Sequence, residues 1–239
     1  MNKLKLNIDS GLALVLGILL ILNAGCGYAF NGMKGDGNVV KQERNVGSFS
    51  GIDVGGAFKV YLTQGNEEKL VVEADENLLD VIETEVRGNT LKISTRKEIR
   101  NADELNIYIT FKMLDDLDVS GACHLTGENK FELGNLDMDC SGASQITMKF
   151  SAGDMDVDIS GASKLEIFGS ADYVKLDLSG AAKLDAIGFE VRELDADISG
   201  AAHGKMTVTE VLSAEVSGAA GFKYKGDPKV THRDVSGAA

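Results

Sequence analysis

Asp158-Ile159-Ser160-Gly161-Ala162 is followed 19 residues later by Asp177-Leu178-Ser179-Gly180-Ala181. The theme acid, apolar, Ser-Gly-Ala runs through the second half of the chain. Its tripeptide begins at Ser120, Ser141, Ser160, Ser179, Ser199, Ser217 and Ser236, at spacings of 21, 19, 19, 20, 18 and 19 residues. Self-similarity at so fixed a period marks a solenoid. Before each serine stands an apolar residue: Val119, Cys140, Ile159, Leu178, Ile198, Val216 and Val235. One position earlier the residue is always acidic: Asp118, Asp139, Asp158, Asp177, Asp197, Glu215 and Asp234. This alternation describes a strand with one face in and one face out. Five residues after the serine comes a second apolar series, Leu125, Ile146, Leu165, Leu184 and Phe222, with Gly204 as the exception. Two further on, Gly127 opens a third series that continues with Met148, Ile167, Ala186, Met206 and Tyr224. Each repeat therefore holds at least two short strands, bent apart at Gly-Ala, where glycine avoids a collision with the coil above. The serines are expected to hydrogen-bond along their own row.

A coil of about 19 residues is too short for a helix plus crossover, and no segment carries a 3.6-residue period. The predicted fold is all-β, a parallel β-solenoid with coils stacked at about 4.8 Å. The repeats occupy residues 113–239. Residues 47–112 lack the tripeptide but alternate in the same way at Phe58-Lys59-Val60-Tyr61-Leu62, Leu70-Val71-Val72-Glu73-Ala74 and Leu105-Asn106-Ile107-Tyr108-Ile109. Glu76 to Thr84 reads as one or two helical turns. This N-terminal β-rich part is expected to cap the open end that a solenoid otherwise exposes.

The N-terminus reads as an address. Lys3 and Lys5 precede an apolar run from Gly11 to Leu22, which is short for a membrane span. The run ends in Asn23-Ala24-Gly25-Cys26, which resembles a bacterial lipobox with Leu22 one position early. In that pattern residues 1–25 are removed and Cys26 becomes the lipid-bearing first residue. An ordinary signal peptide and an uncleaved anchor are the alternatives. Residues 26–46, rich in glycine, asparagine and charge, read as a flexible tether.

Phe49-Ser50-Gly51-Ile52-Asp53, Val60-Tyr61-Leu62-Thr63-Gln64-Gly65, Leu91-Lys92-Ile93 and the Ser-Gly-Ala coils together resemble the autotransporter adhesin head GIN domain family of exported bacterial proteins. The resemblance runs from about Gly47 to the C-terminus. It implies a right-handed β-helix and an adhesive role, and it brings no catalytic residues.

The chain has 239 residues and a formal net charge of −13, which removal of Lys3, Lys5 and Asp9 would take to −14. That balance excludes nucleic acid as the main partner. Trp is absent and there are 5 Tyr and 3 His, which is poor material for a sugar-stacking cleft or a metal site. The acidic row from Asp118 to Asp234 is the most distinctive surface. It reads first as a solvated face, and second as a ladder of weakly held Ca²⁺ ions. His124 and His203 share a repeat position but stand four coils apart, too far for one metal. Cys123 and Cys140 sit at different repeat positions and read as core residues, with a disulfide as the less favoured alternative. No cofactor, resident metal or catalytic set is expected.

Three functional classes fit. The leading one is a non-catalytic lipoprotein of the cell envelope, on the outer membrane, serving as an adhesin-like or scaffolding module for an envelope protein or a glycan. The alternative is a carbohydrate-active β-helix enzyme resembling a polysaccharide lyase, against which stand coils of only 18 to 21 residues with no long loops. The third is a module that associates end to end.

Overall fold

The computed structural model describes residues 32–238. The expected leader and Cys26 lie outside the described residues. In chain order the strands are β1 (Met33–Lys34), β2 (Val39–Arg44), β3 (Gly51–Gly56), β4 (Lys59–Gln64), β5 (Lys69–Asp75), β6 (Ile82–Arg87), β7 (Thr90–Thr95), β8 (Ile99–Asn101) and β9 (Leu105–Phe111). They continue as β10 (Asp116–Gly121), β11 (His124–Glu132), β12 (Leu136–Cys140), β13 (Gln145–Ile159), β14 (Lys164–Leu178), β15 (Lys183–Ile198), β16 (His203–Val216), β17 (Gly221–Lys225) and β18 (Lys229–Val235). The fold is the expected parallel β-solenoid.

Alternation builds each coil. Along β13, Ile146, Met148, Phe150, Met155, Val157 and Ile159 are buried, while Gln145, Thr147, Lys149 and Asp158 are exposed. Full burial of such side chains contributes roughly 1.5–3 kcal/mol each. The next coil repeats the pattern in register, with Ile146 opposite Leu165, Met148 opposite Ile167 and Ile159 opposite Leu178. The two exceptions in the apolar series have physical reasons. A side chain on Gly127 would meet the Phe131 ring at 2.9 Å, and one on Gly204 would meet Phe222 at 2.9 Å. Neighbouring phenylalanines thus fill the space the glycines leave. Gly169 works similarly between Phe150 and Phe189, whose ring centroids are 5.1 Å apart although a coil lies between them.

The Ser-Gly-Ala corners turn through left-handed glycines, with φ from +69° to +82°. A Cβ on Gly161 would collide with the carbonyl oxygen of Gly142 below it, and the same holds up the column. The close approach serves a hydrogen bond: Ala143 N–H donates to the Gly121 carbonyl at 2.7 Å, and Ala162 N–H to that of Gly142 at 2.8 Å. The corner serines join coils through backbone N–H groups, such as Ser160 to the Cys140 carbonyl at 2.8 Å. The hydroxyl pair expected along that row lies three residues later, between buried Ser144 and Ser163 at 3.1 Å.

The N-terminal part is itself partly solenoid, which the lack of a tripeptide concealed. Asp53-Val54-Gly55-Gly56 on β3 pairs in register with Asp118-Val119-Ser120-Gly121 on β10. The Ala122 N–H donates to the Gly56 carbonyl at 2.7 Å, as at the later corners. Outside this coil lies another, made of β7 parallel to β3 and β9 parallel to β4. The chain thus builds the inner coil first, runs out to the end, and returns at β10. Antiparallel strands close the end: β5 and then β2 continue from β9, and β6 continues from β7.

Two expectations change here. The tether over 26–46 contains β1 and β2, because the edge of β5 offers β2 a complete antiparallel register from Val39 to Arg44. The helical segment is a 3-10 helix over Glu76–Val81, and Ile82–Arg87 is strand. Buried Asp75 and half-buried Arg44 lock this cap. Asp75 accepts N–H bonds from Gly37 at 2.7 Å and Asp103 at 2.9 Å. Arg44 donates to the Ile82 carbonyl at 2.6 Å and the Leu79 carbonyl at 2.8 Å, covering the end of the 3-10 helix. No helix among the described residues is long and apolar enough to cross a membrane.

Candidate interaction face

The strand that precedes each corner presents its polar residues outward in two rows. Asp118, Asp139, Asp158, Asp177, Asp197, Glu215 and Asp234 stand in register from β10 to β18, one per coil. The row extends one coil further, to Asp53. There it stops, because β7 places Lys92 opposite Asp53 with Nζ 2.7 Å from Oδ2. Two residues earlier runs a second row: Asp116, Asp137, Asp156, Lys175, Asp195 and Ser213. Sequence reasoning missed Asp53, Lys92 and the second row. The signal for the row was present as Asp-x-Asp at Asp116, Asp137, Asp156 and Asp195.

Carboxylates stacked at strand spacing raise one another's proton affinity. Burial pushes Asp118 above the ordinary 3.8, and neighbouring Asp53, Asp139 and Asp116 push it further. Asp116, Asp139 and Asp158 are raised for the same two reasons, burial first and adjacent aspartates second. Lys175 relieves the middle of the array. Its Nζ lies 3.2 Å from Asp156 and 3.7 Å from Asp177. Asp156, Asp158 and Asp177 offer carboxylate oxygens within 4.8 Å of one another. These three are the residues that could share a hard cation, and the Lys175 ammonium already competes for two of them.

The strand that follows each corner carries a different charge. From β13 to β17 its outward positions include Lys149, Lys164, Lys183, Lys205, Lys223 and Lys225, against Glu166, Asp185 and Glu190. The net charge of −13 therefore conceals an uneven surface, mainly acidic on the strand before each corner and richer in lysine than in acid on the strand after it from β13 to β17. His124 and His203 fall in one exposed row of the basic strand, separated by Gln145, Lys164 and Lys183. His232 lies 3.4 Å from Glu215. Cys123 and Cys140 are buried free thiols, and burial pushes Cys140 up to about 12, which makes it a core residue without thiolate chemistry.

The chain matches the family model described as "Putative auto-transporter adhesin, head GIN domain" over residues 48–228. Among solved structures it resembles a "putative adhesin" from Bacteroides fragilis NCTC 9343 at 24% identity and a TM-score of 0.78, covering 86% of this chain and 95% of that one. It also resembles a "putative adhesin" from Parabacteroides distasonis ATCC 8503 at 20% identity and a TM-score of 0.70, covering 86% and 97%. A third structure, from the same organism and described as a "putative lipid binding protein", aligns at 20% identity and a TM-score of 0.67, covering 87% and 97%. At these identities the likeness is one of fold. No curated protein sequence matches the chain.

Proposed function

The chain belongs to the auto-transporter adhesin head GIN domain family, and from that premise we propose that it is an exported, non-catalytic binding module of the cell envelope. Cys26 carries the lipid that anchors it to the outer membrane, and residues 33–238 present the solenoid to a glycan or protein partner. The observation that carries this reading is the uneven division of charge between two rigid strands of each coil, in register over successive coils. Fixed rows of like charge cost stability through mutual repulsion, and electrostatic complementarity to a partner is the use that offsets such a cost.

The test uses intact cells expressing the full chain. Labelled palmitate is expected to enter the wild-type protein and not Cys26→Ser, and the variant should leave the membrane fraction. Cells carrying the wild type should adhere to glycan- or protein-coated beads above the level of cells lacking the chain. Equal labelling of both proteins would remove the lipid anchor from the reading, and equal adhesion of both cell types would remove the binding role.

A further inference from the structure

The basic strand contains a concavity. It is a groove of about 540 Å³ along β14 to β17, lined by Lys164, Lys183, His203, Lys205 and Lys223, with Asp185 as its one acid. Its shape follows from missing side chains. Gly221 stands in the row of Lys164, Lys183 and His203, and a Cβ there would meet the His203 ring at 2.9 Å. The imidazole therefore lies over Gly221, where no side chain continues the row. Gly204 and Leu184 line the groove from beneath.

The charges in the groove are incompletely satisfied by the chain. Lys205 pairs with Asp185 at 2.8 Å and Lys164 lies 3.4 Å from Glu166. Among the described residues, Lys183 and Lys223 form no ion pair. Four lysines against one aspartate thus line one hollow in a chain of net charge −13.

We propose that this groove binds an acidic polysaccharide, a linear sugar chain carrying carboxylates or sulfates. The inference rests on the binding role proposed above and names the ligand class and the site. One lysine stands on each coil, Lys164 above Lys183 in one row and Lys205 above Lys223 in the next, each pair about 4.8 Å apart. A polyuronate or sulfated glycan likewise carries its charge once or so per sugar, so successive anions can meet successive ammonium groups. Lysine suits this task because its flexible stem follows an anion without demanding bidentate geometry. The volume falls in the range of ordinary ligand sites. Duplex nucleic acid carries far denser charge, and the acidic strand of the same coils repels it. The other polyanion at hand is the Asp row of a second copy, and the experiment separates it.

Binding of polygalacturonate to the purified lipid-free chain is measured by calorimetry at low salt, with dextran as the neutral control and a DNA duplex as the competing polyanion. Polygalacturonate should bind and dextran should not. Lys183→Gln/Lys223→Gln should weaken binding at least tenfold. Lys130→Gln/Lys229→Gln, the same charge change outside the groove, should alter it less than twofold. Equal weakening by both double variants would mean diffuse attraction and overturn the site. So would equal affinity for DNA, or salt-sensitive self-association seen by ultracentrifugation and abolished by Lys183→Gln/Lys223→Gln. Adhesion of whole cells with no binding of polygalacturonate or of chondroitin sulfate would overturn the groove while leaving the binding role intact. Shortening of the polygalacturonate during the measurement would favour the lyase reading.

Discussion

Gly161 stands in the repeats and Gly88 in the cap, with nearly the same left-handed φ, +69° and +61°. A Cβ on Gly161 would run into the Gly142 carbonyl, whereas one on Gly88 meets nothing within 4 Å. The same contrast holds for buried acids. The repeat core is wholly apolar around Ile159, while the cap buries Asp75 among N–H donors. The coils are thus held by sameness, each residue resting on its counterpart one coil below. The cap is held by single residues without counterparts.

The largest expected effect puts a carboxylate where the repeats offer it nothing. Ile159→Asp should cost about 4–5 kcal/mol, because an unpaired charge would sit between Cys140 and Leu178 in the stacked core. Asp158→Asn, one residue away and pointing outward, should cost under about 1 kcal/mol. Denaturant melts of both variants check this. Similar losses would mean that the register of the coil is misplaced.

The glycine pair isolates stacking from backbone strain. Gly88→Ala should cost about 1 kcal/mol, the left-handed penalty alone. Gly161→Ala should cost about 2–3 kcal/mol, since the coil must also move off the Gly142 carbonyl and weaken the Ala162 hydrogen bond. A difference near zero in thermal melts would show that the coils separate easily and that the column of glycines is not a tight contact.

In the cap, Asp75→Asn keeps one acceptor oxygen and loses the charge that strengthens the bonds from Gly37 and Asp103. A loss of about 1.5–3 kcal/mol is expected. Hydrogen exchange should speed up at Gly37 and Asp103 and stay unchanged at Ala143 and Ala162. Exchange that rose equally in the coils would mean that cap and repeats open as one unit.

This contrast also explains what could be read in advance. Sameness is visible in a sequence, so the Ser-Gly-Ala corners, the inward apolar series and the acidic row from Asp118 to Asp234 were all legible. Gly55 in place of serine hid the corner at Gly56, and the long stretch of chain between them hid its continuity with Gly121. Strand β2 was read as tether because Val39-Val40-Lys41-Gln42 has little apolar pattern of its own. Its order comes from the edge of β5, a tertiary effect. Lys92 facing Asp53 depends on β7 lying outside β3 in space although it follows in sequence. The basic groove was illegible because its lysines shift between two rows and its shape depends on Gly204 and Gly221, where side chains are absent.

The smallest expected effect is the pH response, and the two regions should give it opposite signs. Asp116, Asp118, Asp139 and Asp158 have native proton affinities above the ordinary 3.8, through burial and then through neighbouring carboxylates. As pH falls towards that value, the native state takes up protons before the unfolded state does, so stability rises. Asp75 runs the other way. Burial pushes it up, but the N–H groups of Gly37, Asp103, Asp75 itself and Glu104 outweigh that and hold it below 3.8. Its contribution is complete above 3.8 and is lost as pH falls through its lower native value. The melting temperature should therefore rise modestly on mild acidification and fall steeply below about 3.8. Asp118→Asn/Asp139→Asn/Asp158→Asn should flatten the upper limb, and Asp75→Asn the lower one. Ca²⁺ should mimic the upper limb no better than Na⁺ at equal ionic strength, because screening acts on charge repulsion without a specific site. A Ca²⁺-specific rise lost in the triple variant would instead show native-state ion binding, and the acidic row would then be a second ligand site on a different strand of the coils from the basic groove.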